Sequence, residues 1–325
     1  MTRIMKFKSK KIMYVAAMIV AILSTSALAT TQLPEEKIEK NNPQITQRDT
    51  WKTVATQTVK ADGVSFAYRE LGKHNGGTPI VFLTHLAAVL DNWDPKIMDD
   101  IAVKHHVIAF DNRGIGASSG SVANSIEQMG DDAVIFINAM GFKQVDLLGL
   151  SMGGMIAQEI VLKEPKLVRK IILAGTGPAG GKGISSVPFV TFYDMLRGFL
   201  TGQDAKQYLF FTRSPASIEA GKAFLGRINE RTENRDTEIS VSAFLTQLRA
   251  LYNWGRKQPA DLSVVKQPVL VVNGDDDRMV PTSNTHDLAS RLSNSTLVIY
   301  RDAGHGAIFQ FPHEFVAKVL EFLAS

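Results

Sequence analysis

The sequence contains no cysteine among its 325 residues. This absence excludes disulfide frameworks, thiolate metal sites and cysteine nucleophiles together, although it does not indicate a compartment, because a secreted bacterial protein can also lack cysteine. Charged residues make up only 21%, and glycine and proline number 25 and 12. With 45% hydrophobic residues, this composition excludes a wholly disordered, collagen-like or linker-dominated chain and is typical of a globular protein.

The first 29 residues account for the net charge of +4. They have basic side chains at positions 3, 6, 8, 10 and 11, an apolar run over residues 12–23, and small residues that end in Ala27-Leu28-Ala29. This order predicts a secretory signal peptide over residues 1–29, cleaved after Ala29, and a periplasmic or secreted mature protein. An uncleaved N-terminal membrane anchor is the alternative, because about 18 largely apolar residues approach spanning length.

The chain that remains after this cleavage is close to neutral. Five positive charges and no negative charge leave with the segment, so the net charge changes from +4 to −1, and no nucleic-acid partner is expected. No later run is long and apolar enough to span a bilayer, so no stable membrane insertion is expected of the cleaved chain. Residues 30–55 are polar and include Pro34 and Pro43, which predicts a tether before a folded domain at residues 56–325.

Short apolar runs alternate with helical patterns along residues 56–325. Asp62-Gly63 predicts a hairpin turn between strands at residues 56–60 and 64–68. Further strands are predicted at residues 80–84, 107–110, 145–148, 170–173, 269–272 and 296–300, and helices at residues 126–140, 152–163, 285–292 and 313–323. Because the strands are apolar at consecutive positions and alternate with helices, the sequence predicts an α/β fold with a doubly wound, mostly parallel sheet.

Residues 177–259 interrupt this alternation. The segment opens with a glycine-rich run and continues as amphipathic helical material. It predicts a helical lid, inserted between two strands, that sets the size and polarity of a substrate. Aromatic residues of this segment are expected to form the core of the lid rather than to contact a ligand. They are Phe189, Phe192, Tyr193, Phe199, Phe210 and Phe211.

Ser151 lies at a sharp predicted turn from a strand to a helix, in the pattern G-L-S-M-G at residues 149–153. A serine in such a turn has strained backbone angles, and glycines at positions 149 and 153 leave room for the close approach of the two elements. The N-terminus of the following helix directs free N–H groups toward the hydroxyl. The pattern therefore predicts a nucleophilic serine; a Gly-Ser turn without chemistry is the alternative.

A serine nucleophile requires an imidazole base and a carboxylate that orients it. In a doubly wound sheet these are expected after the serine, acid first, in loops at the carboxyl ends of later strands. The strand at residues 269–272 leads into three adjacent aspartates, at positions 275, 276 and 277. His305 is the one histidine of seven that directly follows a late strand, so we expect it to be the base. A calcium loop at the aspartates is disfavoured, because the D-x-D-x-D-G pattern with its later glutamate is missing.

Four motifs together resemble the α/β-hydrolase superfamily, in the branch that holds esterases, enol-lactonases and cofactor-free haloperoxidases. They are the elbow at residues 149–154, the G-D-D-D loop at 274–277 before Val280-Pro281, Gly304-His305, and the D-x-R-G-x-G-x-S loop at 111–118. The resemblance covers residues 56–323. It implies that Asp277 is the acid of a Ser151–Asp277–His305 triad, with Asp275 and Asp276 facing solvent or stabilising the turn.

The resemblance also implies which groups surround this triad. One oxyanion donor is the N–H of Met152, directly after the nucleophile. Members of the family usually read His-Gly-X after an early strand, where X is the second donor. Here the loop reads His85-Leu86-Ala87, so Ala87 is the implied donor and His85 shapes the loop. Gly149 and Gly153 support the elbow, and Asp111 and Arg113 are expected to pair within their own loop.

The sequence thus predicts an exported serine hydrolase that acts on a small-molecule acyl substrate without a metal or organic cofactor. Residues 90–95 resemble the corresponding stretch of enol-lactonases, which favours a lactone or simple ester. Two alternatives stay open. The same triad serves C–C hydrolysis, perhydrolysis and acyl transfer in related folds, and a protein with these residues could instead bind a small molecule with negligible turnover.

Overall fold

The computed structural model describes residues 49–325. The predicted signal peptide and residues 30–48 of the predicted tether lie outside the described residues. Among residues 49–325, no helix is both long and apolar enough to cross a membrane.

An eight-stranded sheet forms the centre of the described domain. Its strands are β1 (Gln57–Ala61), β2 (Val64–Leu71), β3 (Ile80–Leu83), β4 (Val107–Phe110), β5 (Val145–Leu150), β6 (Val168–Ala174), β7 (Val269–Gly274) and β8 (Ser295–Tyr300). They lie in the order β1-β2-β4-β3-β5-β6-β7-β8. The pairs β1–β2 and β2–β4 are antiparallel, and the other five pairs are parallel. The predicted α/β class with a mostly parallel sheet is confirmed.

The local sequence explains how these strands form. Every residue of β3, β4, β5 and β7 is buried, as expected for strands that are covered by helices on both faces. The predicted hairpin joins β1 and β2, where Asp62 and Gly63 both have positive φ angles, 48° and 71°. Those angles are the ones required by a type I′ turn, whose twist matches that of the paired strands.

Ten α-helices are present among the described residues. They are α1 (Pro95–Ala102), α2 (Ile126–Ala139), α3 (Met152–Lys163), α4 (Val187–Thr201), α5 (Ala205–Phe210), α6 (Pro215–Ile228), α7 (Val241–Trp254), α8 (Ser283–Arg291), α9 (Ala307–Gln310) and α10 (Pro312–Ala324). The sequence predicted α2, α3, α8 and α10 to within two residues at each end, but it missed α1. That helix is short, and Asp94 caps its N-terminus by accepting a hydrogen bond from the Lys96 N–H.

The segment between β6 and β7 contains four helices, α4 to α7, in place of a single crossover helix. Its aromatic residues divide into two groups. Phe210 and Phe211 are buried, as expected, whereas Phe189, Tyr193 and Phe199 on α4 are at least half exposed. The expectation of an aromatic core is therefore wrong for most of α4, because the apolar positions of that helix occur on more than one face.

The folded domain begins earlier than the predicted boundary at residue 56. Trp51 is 2% exposed, and its indole N–H donates to the Leu90 carbonyl at 3.1 Å. The Trp51 backbone N–H donates to the Asp99 carboxylate, and Val54 is also buried. One tryptophan in a polar stretch produces no hydrophobic periodicity, so the sequence pattern gave no indication of this packing.

Candidate active site

Ser151 lies at the tight turn between β5 and α3. Its φ and ψ angles are 55° and −116°, a strained conformation for a residue with a side chain. Gly149 and Gly153 permit this turn, because a Cβ atom on Gly153 would overlap the Leu83 carbonyl and one on Gly149 would overlap the Gly153 carbonyl. The glycine spacing that predicted the elbow thus reflects direct backbone contact.

Two hydrogen bonds to its backbone groups hold the strained serine in place. The Ser151 N–H donates to the Ala174 carbonyl at 2.8 Å, and the Thr176 hydroxyl donates to the Ser151 carbonyl at 2.7 Å. Met152 is the first residue of α3, so its N–H has no acceptor within the helix. This N–H and the positive end of the helix dipole lie beside the serine, where they favour a developing negative charge.

Asp277 and His305 form a buried pair at the ends of β7 and β8. Asp277 Oδ2 accepts from His305 Nδ1 at 2.8 Å, and both side chains are almost fully buried. Asp277 Oδ1 accepts from the N–H groups of Met279 and Val280 at 2.8 and 2.9 Å. Because an ionised carboxylate only accepts hydrogen bonds, His305 carries its proton on Nδ1, which leaves Nε2 as the basic nitrogen.

The three aspartates of this loop differ in environment. Asp275 and Asp276 are exposed, and Asp275 accepts from the Ala303 N–H at 3.2 Å. Only the third of them, Asp277, is buried and contacts His305. Burial therefore distinguishes Asp277 from Asp275 and Asp276, which the sequence distinguished only through the family resemblance.

Ser151 follows β5 and His305 follows β8, and the backbone of Gly175, which follows β6, lies between these two strands in the sheet order. A Cβ atom on Gly175 would be 3.3 Å from His305 Nδ1, so the imidazole packs directly over that backbone. Gly175 follows Ala174, whose carbonyl accepts from the Ser151 N–H. The structure therefore brings Asp277 and His305 into a hydrogen bond and positions both at the edge of the sheet that carries Ser151.

The loop after β3 has an unexpected hydrogen bond at the implied second oxyanion donor. Ala87 has a φ of 62°, and its N–H donates to Gln247 Oε1 on α7 at 2.9 Å. This N–H is already used within the protein, so it is not a free donor in this structure. The glutamine was missed in the sequence, because one polar residue in an amphipathic helical pattern has no distinguishing signal.

His85 lies on the same loop, two residues before Ala87. Its Nδ1 lies 2.8 Å from the Leu86 carbonyl, and its ring contacts Phe210 edge-on at a centroid distance of 5.2 Å. Phe210 also lies 5.7 Å from the His305 ring. The inserted helices thus cover both histidines through a single aromatic side chain.

Burial lowers the pKa of His85 from 6.5 to about 3, because a charged imidazolium would lose its hydration. The unfolded chain binds a proton near pH 6.5 that the folded chain does not, so this contribution to stability is complete above pH 6.5 and lost as the pH falls. Between pH 6.5 and 4.5 the loss amounts to about 2–3 kcal/mol. We expect His85→Gln to remove that part of the pH dependence, as measured by urea unfolding at both values.

His286→Gln is the matched control, because His286 is exposed on α8. It should keep the wild-type difference in unfolding free energy between the two pH values. An unchanged pH dependence in His85→Gln would contradict the interpretation that His85 is buried in its neutral form.

The loop at residues 111–118 is organised differently from the expectation. Asp111 does not pair with Arg113; its carboxylate accepts from the N–H groups of Leu90 and Ala117 at 3.1 and 3.3 Å. Arg113 instead pairs with Asp132 on α2 at 2.7 Å. Burial and nearby Asp236 raise the pKa of Asp111 well above its usual value. Within residues 49–325, no group of three acidic or histidine side chains could hold a metal ion.

The fold and the geometry of this site together identify the class of protein to which the chain belongs. A mostly parallel α/β sheet carries a serine at a strained strand-to-helix turn, with an Asp–His pair at the ends of two later strands. The family model described as alpha/beta hydrolase fold matches residues 78–312. The chain belongs to this family of hydrolases.

Several known proteins are similar over most of their length. An alpha/beta hydrolase fold protein from Chitinophaga pinensis is 36% identical with a TM-score of 0.81, over 85% of this chain and 100% of that one. BpoC of Mycobacterium tuberculosis, provisionally named a non-heme bromoperoxidase, is 26% identical over 81% of this chain and 98% of its own. RutD of Caulobacter, provisionally named a carbamate hydrolase, is 27% identical over 71% of this chain and 85% of its own.

Proposed function

We propose that the protein is an exported serine hydrolase that cleaves a carboxylic ester or lactone through an acyl-enzyme. The hydrogen bond between Asp277 and His305 carries this proposal, because it leaves a basic Nε2 at the edge of the sheet that holds Ser151. At the strained turn, the Met152 N–H lies beside the serine, and it supplies a hydrogen-bond donor for the oxyanion.

The reaction follows from these positions. Ser151 Oγ attacks the acyl carbonyl carbon while His305 Nε2 takes the hydroxyl proton, and Asp277 stabilises the resulting imidazolium. The Met152 N–H donates to the oxyanion. Collapse of the tetrahedral intermediate breaks the bond to the alkoxy group, which receives the proton from His305. Water then attacks the acyl-enzyme by the reverse proton path, which releases the acid and restores Ser151.

Residues 90–95 give less information about the substrate class than their sequence suggested. Asp91 pairs with Arg69 at 2.6 Å, and Asp94 caps α1 and pairs with Arg227 at 2.7 Å. These side chains stabilise the fold, so their resemblance to enol-lactonases is weak support for a lactone. The two provisionally named relatives carry names for different reactions, a bromoperoxidase and a carbamate hydrolase, and the substrate panel should include carbamates as well as esters and lactones.

A fluorophosphonate probe and a substrate panel test the proposal together. We expect the mature protein to be labelled at Ser151 and to hydrolyse p-nitrophenyl esters or lactones, and Ser151→Ala to lose both labelling and turnover. Turnover that survives Ser151→Ala would contradict the mechanism. A wild type that is neither labelled nor active on any member of the panel would instead favour a binding protein.

Export is a proposal from the sequence of residues 1–29 alone. It predicts that protein from the periplasm or medium begins at Thr30, which N-terminal sequencing measures directly. Retention of Met1 would instead favour the membrane anchor.

A further inference from the structure

Gln247 lies at the active site although it is 160 positions from its partner in the loop after β3. Its side chain is 0% exposed, and its Oε1 accepts from the Ala87 N–H at 2.9 Å. That donor determines the orientation of the amide, since the opposite orientation would place two N–H donors against each other. Gln247 therefore directs its oxygen toward Ala87 and its NH₂ group elsewhere.

The NH₂ group of Gln247 is buried and has no hydrogen-bond partner among residues 49–325. A buried donor without an acceptor destabilises a folded protein, so such groups call for an explanation and are frequent at functional sites. The missing partner is an acceptor, because Nε2 can only donate. An oxygen atom of a ligand meets that requirement.

The Gln247 amide contacts the loop after β3, in which the family resemblance implies an oxyanion donor. The Ala87 loop follows β3, whose last residue, Leu83, packs its carbonyl against Gly153 at the start of α3. Two other buried polar atoms without a partner in the described chain, Thr84 Oγ1 and His85 Nε2, lie on the same loop. Three buried polar atoms without a partner in the described chain thus lie on, or in a side chain that contacts, the loop after β3.

We propose that Gln247 Nε2, rather than the Ala87 N–H, is the second oxyanion donor; this assignment rests on the proposed function. Met152 and Gln247 then donate together to the carbonyl oxygen of an ester or lactone as it becomes an oxyanion. The hydrogen bond from Ala87 to Oε1 polarises the amide, which makes the Nε2–H a stronger donor. One donor comes from the sheet domain and the other from the inserted helix α7, so the oxyanion hole is complete only when α7 is seated.

Two substitutions distinguish a Gln247 that donates to the oxyanion from a Gln247 that only holds Ala87 in place. Gln247→Glu keeps an acceptor for the Ala87 N–H but removes the donor, whereas Gln247→Met keeps the length and removes both. We expect kcat on an ester that the wild type hydrolyses to fall by about 10²–10³-fold in both variants, with KM changed much less. Arg249→Gln, at an exposed position of the same helix, is the control that should keep wild-type kcat.

Other results would overturn the assignment. Near-wild-type kcat in Gln247→Glu with a loss in Gln247→Met would mean that Gln247 only braces Ala87. A higher kcat in Gln247→Met would mean that Gln247 blocks the Ala87 N–H. An active wild type with either result would leave the proposed function intact, whereas an inactive wild type would remove both proposals.

A structure of the phosphonylated wild-type enzyme tests the assignment without any variant. We expect the phosphonyl oxygen within about 2.7–3.1 Å of both the Met152 nitrogen and Gln247 Nε2. An oxygen bound to the Ala87 nitrogen, with the glutamine displaced, would overturn the proposal even if both variants failed to fold.

Discussion

Asp277→Asn is expected to lower kcat by about four orders of magnitude while the fold stays intact. The N–H groups of Met279 and Val280 both donate to Oδ1, so the amide oxygen of an asparagine would take that position. Its NH₂ group would then face His305 Nδ1. That nitrogen would have to accept, which moves the imidazole proton to Nε2, and a protonated Nε2 cannot remove the proton of Ser151.

The measurement is steady-state kinetics on the best ester or lactone of the panel, with unfolding curves to show that the variant is folded. Asp276→Asn is the matched control, because Asp276 is the exposed neighbour in the same loop and should keep wild-type kcat. A loss of less than tenfold in Asp277→Asn would contradict the role of Asp277 as the residue that orients His305.

Asp91→Asn is expected to lower the free energy of unfolding by about 3–5 kcal/mol, because it leaves a buried arginine without its counter-charge. The Arg69 side chain is 0% exposed, and one of its terminal nitrogens donates to Asp91 at 2.6 Å. Asp91 also accepts from the Asp236 N–H at 2.7 Å. Asparagine has nearly the same shape as aspartate, so the expected effect comes from charge rather than from a cavity.

Urea unfolding at pH 7 measures this effect. Asp100→Asn is the control: its pair with Lys96 at 2.7 Å is about one-third exposed, and its removal should cost less than about 1 kcal/mol. A double variant, Arg69→Met with Asp91→Leu, should recover most of the loss, because it removes both charges together. A drop in Asp91→Asn as small as that of the control would contradict the claim that the Asp91 charge balances buried Arg69, with Arg231 and Arg235 each a further 3.8 Å from Asp91.

Much of the fold could be predicted because its signals are local. The glycines around Ser151 and the apolar run of β5 predicted a strand, a turn and a helix, and α3 has the predicted bounds. The paired positive φ angles of Asp62 and Gly63 follow equally from neighbouring residues. In each case the residues that determine the conformation lie within a few positions of one another.

The candidate site was predicted only in part. Ser151, Asp277 and His305 all follow strands of one parallel sheet, and the carboxyl ends of such strands meet at one edge, so chain order alone indicated that they approach each other. The choice of Asp277 over its two neighbours came from resemblance in the sequence, and burial supplies the physical reason in the structure. The expected pairing of Arg113 with Asp111 was wrong, and the contact between the Ala87 N–H and Gln247 was missed, because both observed partners come from helices distant in the sequence.

By itself the sequence determined the strand positions, the turn at Ser151 and the order in which the acid and the histidine follow the serine, since each depends on residues close in the chain or on strand polarity. Only the tertiary structure decided that Trp51 joins the core, that Phe210 covers both histidines, and that Gln247 binds Ala87. The physical reason is that those contacts join surfaces far apart in the chain. The packing of α7 on the sheet depends on the shapes of both surfaces, and no local sequence pattern predicts that packing.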